Sequence, residues 1–285
     1  MGDNPYPNST LQRLQDVERE ILAIIDKICR RNDIDYFIDG GTCLGAVRHG
    51  GFIPWDDDID IGMPYSDYMR FCEIAPLLLP EGYSLHTSTN TKGFSALWVK
   101  VFKDGTRFID DNAQEAGCNQ GIFVDVFAYC QLNANENIAK KQCARARKAQ
   151  VKSYLKHFSR PKLPKGTPAR HLVSFACKLI HASVAKLWSQ DELQRAFDRS
   201  FDSNNPGKRW IEAAYPDWGS HDAETLFPTQ DIRFDELTVR APHNCDAYLS
   251  TLYGDWRQVP PSDGRYTHAP VILDFGDGAN VMDVR

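Results

Sequence analysis

Two short apolar runs, Tyr36-Phe-Ile38 and Asp58-Ile-Asp-Ile61, flank a glycine pair at Asp39-Gly-Gly-Thr42 and an acidic run, Trp55-Asp-Asp-Asp-Ile-Asp60. No other feature limits the fold as strongly. The apolar residues predict partly buried strands, yet the second run alternates isoleucine with aspartate. A buried carboxylate is costly unless a cation or hydrogen bonds compensate it. Alternation along a strand puts Asp58 and Asp60 on one face and Ile59 and Ile61 on the other. Their Cα atoms would lie roughly 6.5 Å apart, from a rise of about 3.3 Å per residue. Two carboxylates so spaced can converge on a hard divalent cation, and Mg²⁺ takes one or two of them with water and phosphate completing its shell. Gly121-Ile-Phe-Val-Asp-Val-Phe127 is the most hydrophobic strand candidate, and its lone acid, Asp125, supplies a third carboxylate. Three acids from two strands suit metal-assisted in-line displacement at phosphorus.

Blander readings compete with this one. An Asp-rich tripeptide such as Asp56-Asp57-Asp58, taken alone, reads as a solvated loop. A calcium loop could use Asp56, Asp58 and Asp60 as its first, third and fifth ligands. Its sixth position would then be Ile61 where glycine is needed, and its twelfth Asp67 where glutamate is needed, so that reading fails. Gly40-Gly41 is either a plain turn or a site where backbone amides meet phosphate oxygens at the start of a helix capped by Thr42. Arg48 and His49 follow one to two turns later, and a cation there could neutralise phosphate charge.

The rest of the chain organises around this segment. Ser9-x-x-Gln12 has the capping-box pattern, and Leu11, Leu14, Ile21, Ile25 and Ile28 recur at helical spacing, which predicts a packing helix. A helix capped by Ser66 and closed by Pro80-Glu-Gly82 comes after the acidic strand. Strands are expected over 83–87, 95–102, 106–110 and 121–127, and helices over 136–158, 170–188 and 190–202. The fold class read from this order is α+β: a catalytic core over residues 1–132, then a helical and irregular region, 133–285, completing the active site and an acceptor surface.

Among 285 residues, net charge −5 gives no global argument for nucleic acid or membrane. Its distribution is more telling. Thirteen Lys or Arg residues fall between positions 140 and 186, and no Asp or Glu lies between Glu136 and Asp191. Such a block is either a set of solvated helix faces or a surface for an anionic partner, including an anionic membrane. Leu172, Phe175, Leu179, Ala182 and Trp188 form an apolar stripe there. No nucleic-acid motif accompanies the charge, so nucleic acid is not expected as a partner. The eight cysteines have no metal-like spacing, and the N-terminus lacks the pattern of a secretory leader. The expected location is the cytoplasm, with peripheral contact at the inner face of the membrane.

The stretch from Tyr36 to Ile61 resembles the signature of the LicD/fukutin-related family. Gly121-Ile-Phe-Val-Asp-Val-Phe127 is similar to that family's third-carboxylate strand. Tyr248-Leu-Ser-Thr-Leu-Tyr-Gly-Asp-Trp256, through Pro260-Pro261 to His268, is similar to its C-terminal motif. The resemblance implies a nucleotidyltransferase-like mixed-sheet core and transfer of phosphocholine or a related phospho-alcohol from a CDP-activated donor to a glycan hydroxyl. It implies Asp58, Asp60 and Asp125 as catalytic residues and ligands of Mg²⁺ or Mn²⁺, with Asp125 either binding metal or accepting the hydroxyl proton. Gly40, Gly41, Thr42, Arg48, Lys100 and His268 would bind substrate. The glycan acceptor could be lipid-linked. This tail carries a less acidic run, Ser262-Asp-Gly-Arg-Tyr-Thr-His268, than the family usually has. For a choline head group, an aromatic cage is the natural partner, with Trp55, Tyr65, Trp98, Tyr129 and Trp256 as candidates. A nucleotide-sugar glycosyltransferase and a non-catalytic nucleotide-binding module are the alternative readings. The former usually places a longer nucleotide-binding half before its Asp-x-Asp motif.

Overall fold

A computed structural model describes residues 5–7, 9–158, 180–184, 186–261 and 264–283. Helix α1 (Thr10–Arg31) buries Leu11, Leu14, Ile21, Leu22, Ile25 and Ile28 as one stripe, so its period does what the sequence predicts. The capping box does not form, because Ser9 has ψ near 10° and its side chain makes no cap bond; a working cap needs extended backbone at that residue.

Strand β1 (Phe37–Ile38) runs straight into α2 (Gly40–His49). The cap of α2 is Asp39, in extended conformation, whose carboxylate accepts the Gly40 amide at 2.7 Å. Thr42, the expected cap, lies inside the helix. Strand β2 (Asp60–Pro64) starts two residues later than predicted, although Ile59 already accepts a bond from the Asp125 amide at 2.9 Å. Helix α3 (Tyr65–Leu78) follows β2 directly and starts without a side-chain cap, so Ser66 does not serve as one. Strands β3 (Tyr83–His86), β4 (Val99–Lys103) and β5 (Arg107–Ile109) come next, then a short helix, α4 (Asp111–Ala116).

Strand β6 (Ile122–Asn133) is the centre of the fold and extends well past the predicted end at 127. The main sheet has seven strands in the order β1-β2-β6-β4-β3, with β7 (Pro206–Glu212) paired to β6 and β8 (His221–Asp222) paired to β7. β2 lies parallel to β6, and β4 and β7 lie antiparallel to it. β4 covers Ile122 to Val126 of β6, whereas β7 covers Tyr129 to Asn133. The two neighbours therefore share one edge of β6 and part beside Phe127.

Helix α5 (Glu136–His157) fulfils the helix expected over 136–158, and α6 (Gln190–Asp198) begins with a complete capping box at Ser189 and Glu192. Leu172, Phe175 and Leu179 of the apolar stripe lie outside the described residues. The C-terminal region adds more order than an irregular tail: the hairpin of β9 (Gln230–Phe234) and β10 (Leu237–Ala241), helix α8 (Cys245–Tyr253) after the single-turn α7 (Ala223–Leu226), and β11 (Ile272–Asp274), which pairs with β5. The mixed sheet with flanking helices is the α+β class read from the sequence. Seven of the eight cysteines are free thiols among the described residues. No helix there is long and apolar enough to cross a membrane.

The connection after α2 carries the acidic run, and a close backbone contact holds it. A Cβ on Gly45 would come within 2.5 Å of the Gly51 carbonyl oxygen and 2.9 Å of the Ile53 amide. Neither neighbour is a flexible side-chain end. Gly45→Ala should therefore lower the free energy of unfolding by about 1–3 kcal/mol, measured by urea denaturation; an unchanged midpoint would contradict this packing.

Candidate active site

Strand pairing assembles the acids. Asp60 on β2 is in register with Asp125 on β6, and Lys100 on β4 is in register with Asp125 from the other side. Residues directly opposite on neighbouring strands share a face, so Lys100, Asp125 and Asp60 form a row across three strands. Asp58 joins the row from the extended residues before β2. Asp125 is buried and held at both oxygens, by the Trp98 indole at 2.6 Å and by the Lys100 ammonium at 3.1 Å. Lys100 also lies 3.3 Å above the Phe123 ring.

Asp60 has the opposite surroundings. Burial pushes its carboxyl well above the usual range, and every charged group that adds to this is an acid: Asp58, Asp125, Asp39 and Glu212. Burial also pushes Asp58 up to about 6, against the opposing pull of His268 and Lys100. Carboxylates in such mutual repulsion form a donor set that a hard divalent cation could take.

His268 stands between two of the acids. Its Nδ1 lies 3.1 Å from Asp58 and 3.4 Å from Asp57, and its side chain is 47% exposed. Burial alone would lower its pKa. The hydrogen bond it donates to Asp57 and the charges of Asp58 and Asp57 outweigh that and carry it up to about 9. Asp57, left without a role by the sequence, is fully buried and ties three segments together. It accepts the Tyr6 hydroxyl at 2.6 Å and the His268 amide at 2.8 and 2.9 Å. Asp57, Asp58 and His268 form the one group of potential metal ligands whose donor atoms all lie within 4.8 Å of one another among the described residues. That set includes a nitrogen, which Mn²⁺ accepts more readily than Mg²⁺. Asp58, Asp60 and Asp125 do not form so tight a group.

The phosphate-binding candidates are more engaged than the sequence suggests. The Gly40 amide is bonded to Asp39 and, at 3.1 Å, to the Tyr248 hydroxyl. The Thr42 hydroxyl accepts the Asp60 amide at 2.9 Å, so it aligns β2. A Cβ on Gly41 would meet the Asp56 carboxylate at 3.1 Å. Carboxylates of Asp39 and Asp56 therefore already occupy the electropositive start of α2. Arg48 lies at the other end of α2, where its guanidinium donates to the carbonyls of Trp256 at 2.9 Å and Gln258 at 3.4 Å. It anchors the C-terminal segment.

Two further acids border the row without having been marked by a motif. Glu18 of α1 is buried with both carboxylate oxygens unpartnered, and burial, with the charges of Asp58, Asp57, Asp56 and Asp125, raises its pKa strongly. Glu212, at the end of β7, is buried with one oxygen unpartnered and is raised by burial, Asp39 and Asp125. An acid inside an apolar stripe was the available signal for Glu18. Of the five aromatic candidates, Trp98 alone bonds an acid of the row. Tyr129 bonds Asp39 at 2.9 Å, Tyr65 stacks on Tyr68, Arg265 covers Trp55, and Trp256 lies under Arg257. Tyr215 packs 5.5 Å from Trp98, where β4 and β7 part.

Fold and site together define a mixed sheet with an acidic row at its centre. Residues 33–165 match the family model described as LicD/FKTN/FKRP, nucleotidyltransferase domain. Those residues of the chain therefore carry a LicD/FKTN/FKRP family domain. It is 26% identical over 270 residues to the lipopolysaccharide cholinephosphotransferase LicD of Haemophilus influenzae, covering 91% of this chain and 96% of that protein. It is 34% identical over 81 residues to human ribitol 5-phosphate transferase FKRP, covering 26% of this chain and 15% of that one. Mouse ribitol-5-phosphate transferase FKTN is 34% identical over 50 residues, 18% of this chain and 11% of its own length.

The charges set a pH dependence. His268 is raised from 6.5 to about 9, so its stabilising contribution is complete below 6.5 and is lost as pH rises through 9. Asp58 is raised from 3.8 to about 6, so ionising it costs stability as pH rises across that window. Both act in one direction. In chelator, the thermal midpoint should fall as pH rises toward about 9, and His268→Gln should flatten the alkaline part of the curve. An alkaline limb unaltered by His268→Gln would contradict the assignment.

Proposed function

We propose that this protein transfers a phospho-alcohol, phosphocholine or a close analogue, from a CDP-activated donor to a glycan hydroxyl, releasing CMP. The observation that carries the reading is the register row of Asp60, Asp125 and Lys100, with Asp58 beside it. The names of the relatives support it, since the LicD protein is a cholinephosphotransferase and the FKRP and FKTN proteins are ribitol 5-phosphate transferases.

Asp58 and Asp60 would hold Mg²⁺ or Mn²⁺, with Asp125 able to complete the set. The bound cation would neutralise charge that develops on the phosphate oxygens and the leaving CMP. Asp125 suits a second task as well. Held at both oxygens by Trp98 and Lys100, it is oriented to receive the proton of an attacking hydroxyl. Lys100 orients that carboxylate and would add positive charge beside the phosphate. His268, half-exposed against Asp58, can approach donor or acceptor from solvent. The glycine turn and Thr42 support the site by holding α2 against β2, with Gly41 leaving room for Asp56.

The test is a panel of CDP-choline, CDP-ethanolamine, CDP-glycerol and CDP-ribitol with Mg²⁺, read as CMP release. One or more donors should turn over. Asp58→Asn should abolish release, and Asp125→Asn should slow it by at least about a hundredfold. UDP or GDP release from nucleotide sugars, with no CMP from any donor, would replace this reading with glycosyl transfer.

A further inference from the structure

Several cations of the basic block lie among the described residues. On α5, Arg145, Lys148 and Lys152 recur at spacings of three and four, which puts them on one face. Across from them, Arg199 follows the end of α6. The four cations line a cleft of about 360 Å³ whose apolar surface includes Trp188 and Leu193, and no acid among the described residues lines it. Nearby charges are neutralised instead: Arg147 pairs with Asp217, and Arg209 with Glu136. The Lys152 ammonium lies 3.6 Å from the Trp188 ring centroid. Burial and the charge of Lys148 hold Lys152 below the ordinary lysine range. Like charges one turn apart work against a helix, so this stripe is maintained at a cost that an anion would remove.

A second feature separates the cleft from an ordinary solvated face. Val151 on α5, and Ile180 and Leu187 ahead of α6, are exposed by 49%, 43% and 73%. Val151 is one turn from Lys148, and Leu187 adjoins Trp188. A pocket for a soluble phosphate needs the cations but gains nothing from exposed aliphatic side chains. Cations beside exposed aliphatic and indole groups match a surface that rests among anionic lipid headgroups.

We propose that the cleft between α5 and α6 is a membrane-docking site that takes the phosphate groups of anionic lipids, with Val151, Ile180 and Leu187 entering the headgroup layer. The helices that form the cleft contact the segment that leads into Trp98 and the acidic row. Ser153 donates to the Ser95 carbonyl at 2.7 Å, and Gln194 donates to the Leu97 carbonyl at 3.3 Å. The next residue is Trp98, which holds Asp125. A lipid-borne acceptor would thus be presented near the row, although the docking itself does not depend on which reaction occurs there.

The test is co-sedimentation of the full chain with phosphatidylcholine vesicles, with and without phosphatidylglycerol. Binding should require phosphatidylglycerol and weaken with salt. Lys148→Glu combined with Arg199→Glu should weaken it roughly tenfold or more, as should, to a smaller extent, Leu187→Ser. Arg147→Glu, a charge reversal outside the cleft, should change it less than about twofold. Lys148→Gln with Arg199→Gln repeats the measurement with a milder change if the reversal impairs folding. Equal vesicle binding by wild type and both double variants would overturn the proposal. So would cleft-dependent binding of inorganic pyrophosphate or single-stranded RNA without vesicle binding, since either would assign the cleft to another ligand. Turnover is not read, so failure here leaves the transfer reaction untouched.

Discussion

The register of β6 against β2 and β4 is the constraint on which the rest of this protein depends. Side chains alternate along a strand, so a slip of one residue would send Asp60 or Lys100 to the face opposite Asp125. Register is protected on both sides. The Thr42 hydroxyl holds the Asp60 amide, and the Ile59 carbonyl takes the Asp125 amide. The buried apolar residues between the acids, Ile59, Ile61, Val124 and Val126, would lose their core contacts in any slipped arrangement. Hydrophobic burial thereby positions the charged groups, although it contributes nothing to their chemistry.

Around that row the protein gathers more negative charge than it neutralises. Lys100 answers Asp125, and His268 answers Asp57 and Asp58. Asp60, Glu18 and Glu212 have acids as their charged neighbours. Such an arrangement costs folding stability, and proteins retain such costs mainly at functional sites. The same imbalance explains why distant segments converge here. Tyr6 from the N-terminus and His268 from the C-terminal tail both reach Asp57, closing the site with groups that satisfy its buried oxygens. The tail is further secured by Arg48 at the far end of α2.

Much of the fold was legible because its signals are local. The period of α1, the capped start of α6 and the apolar run of β6 each depend on neighbours within a few residues. Other errors were local too. Ser9 has the residue type of a cap but lacks the backbone angle, and Thr42 yields to Asp39 because the chain leaves β1 already extended at that residue. The strands of the C-terminal region were harder to read. β7 carries few apolar residues, and its stability comes from pairing with β6, a partner more than seventy residues away in sequence.

By itself, the sequence determined which acids stand out as candidates for the site. Acids embedded in apolar strands must be compensated, and that requirement singled out Asp58, Asp60 and Asp125 without any knowledge of their neighbours. Tertiary structure alone decided who those neighbours are. It gave Asp125 to Trp98 and Lys100, turned Asp57 into the junction of both chain ends, and brought Glu18 and Glu212 to the border of the row. It also gave Arg48 and Thr42 scaffold contacts, to the Trp256 carbonyl and the Asp60 amide. The physical reason is range: burial and alternation are encoded within a few residues, whereas charge compensation is settled by whichever groups the folded chain brings within a few ångströms.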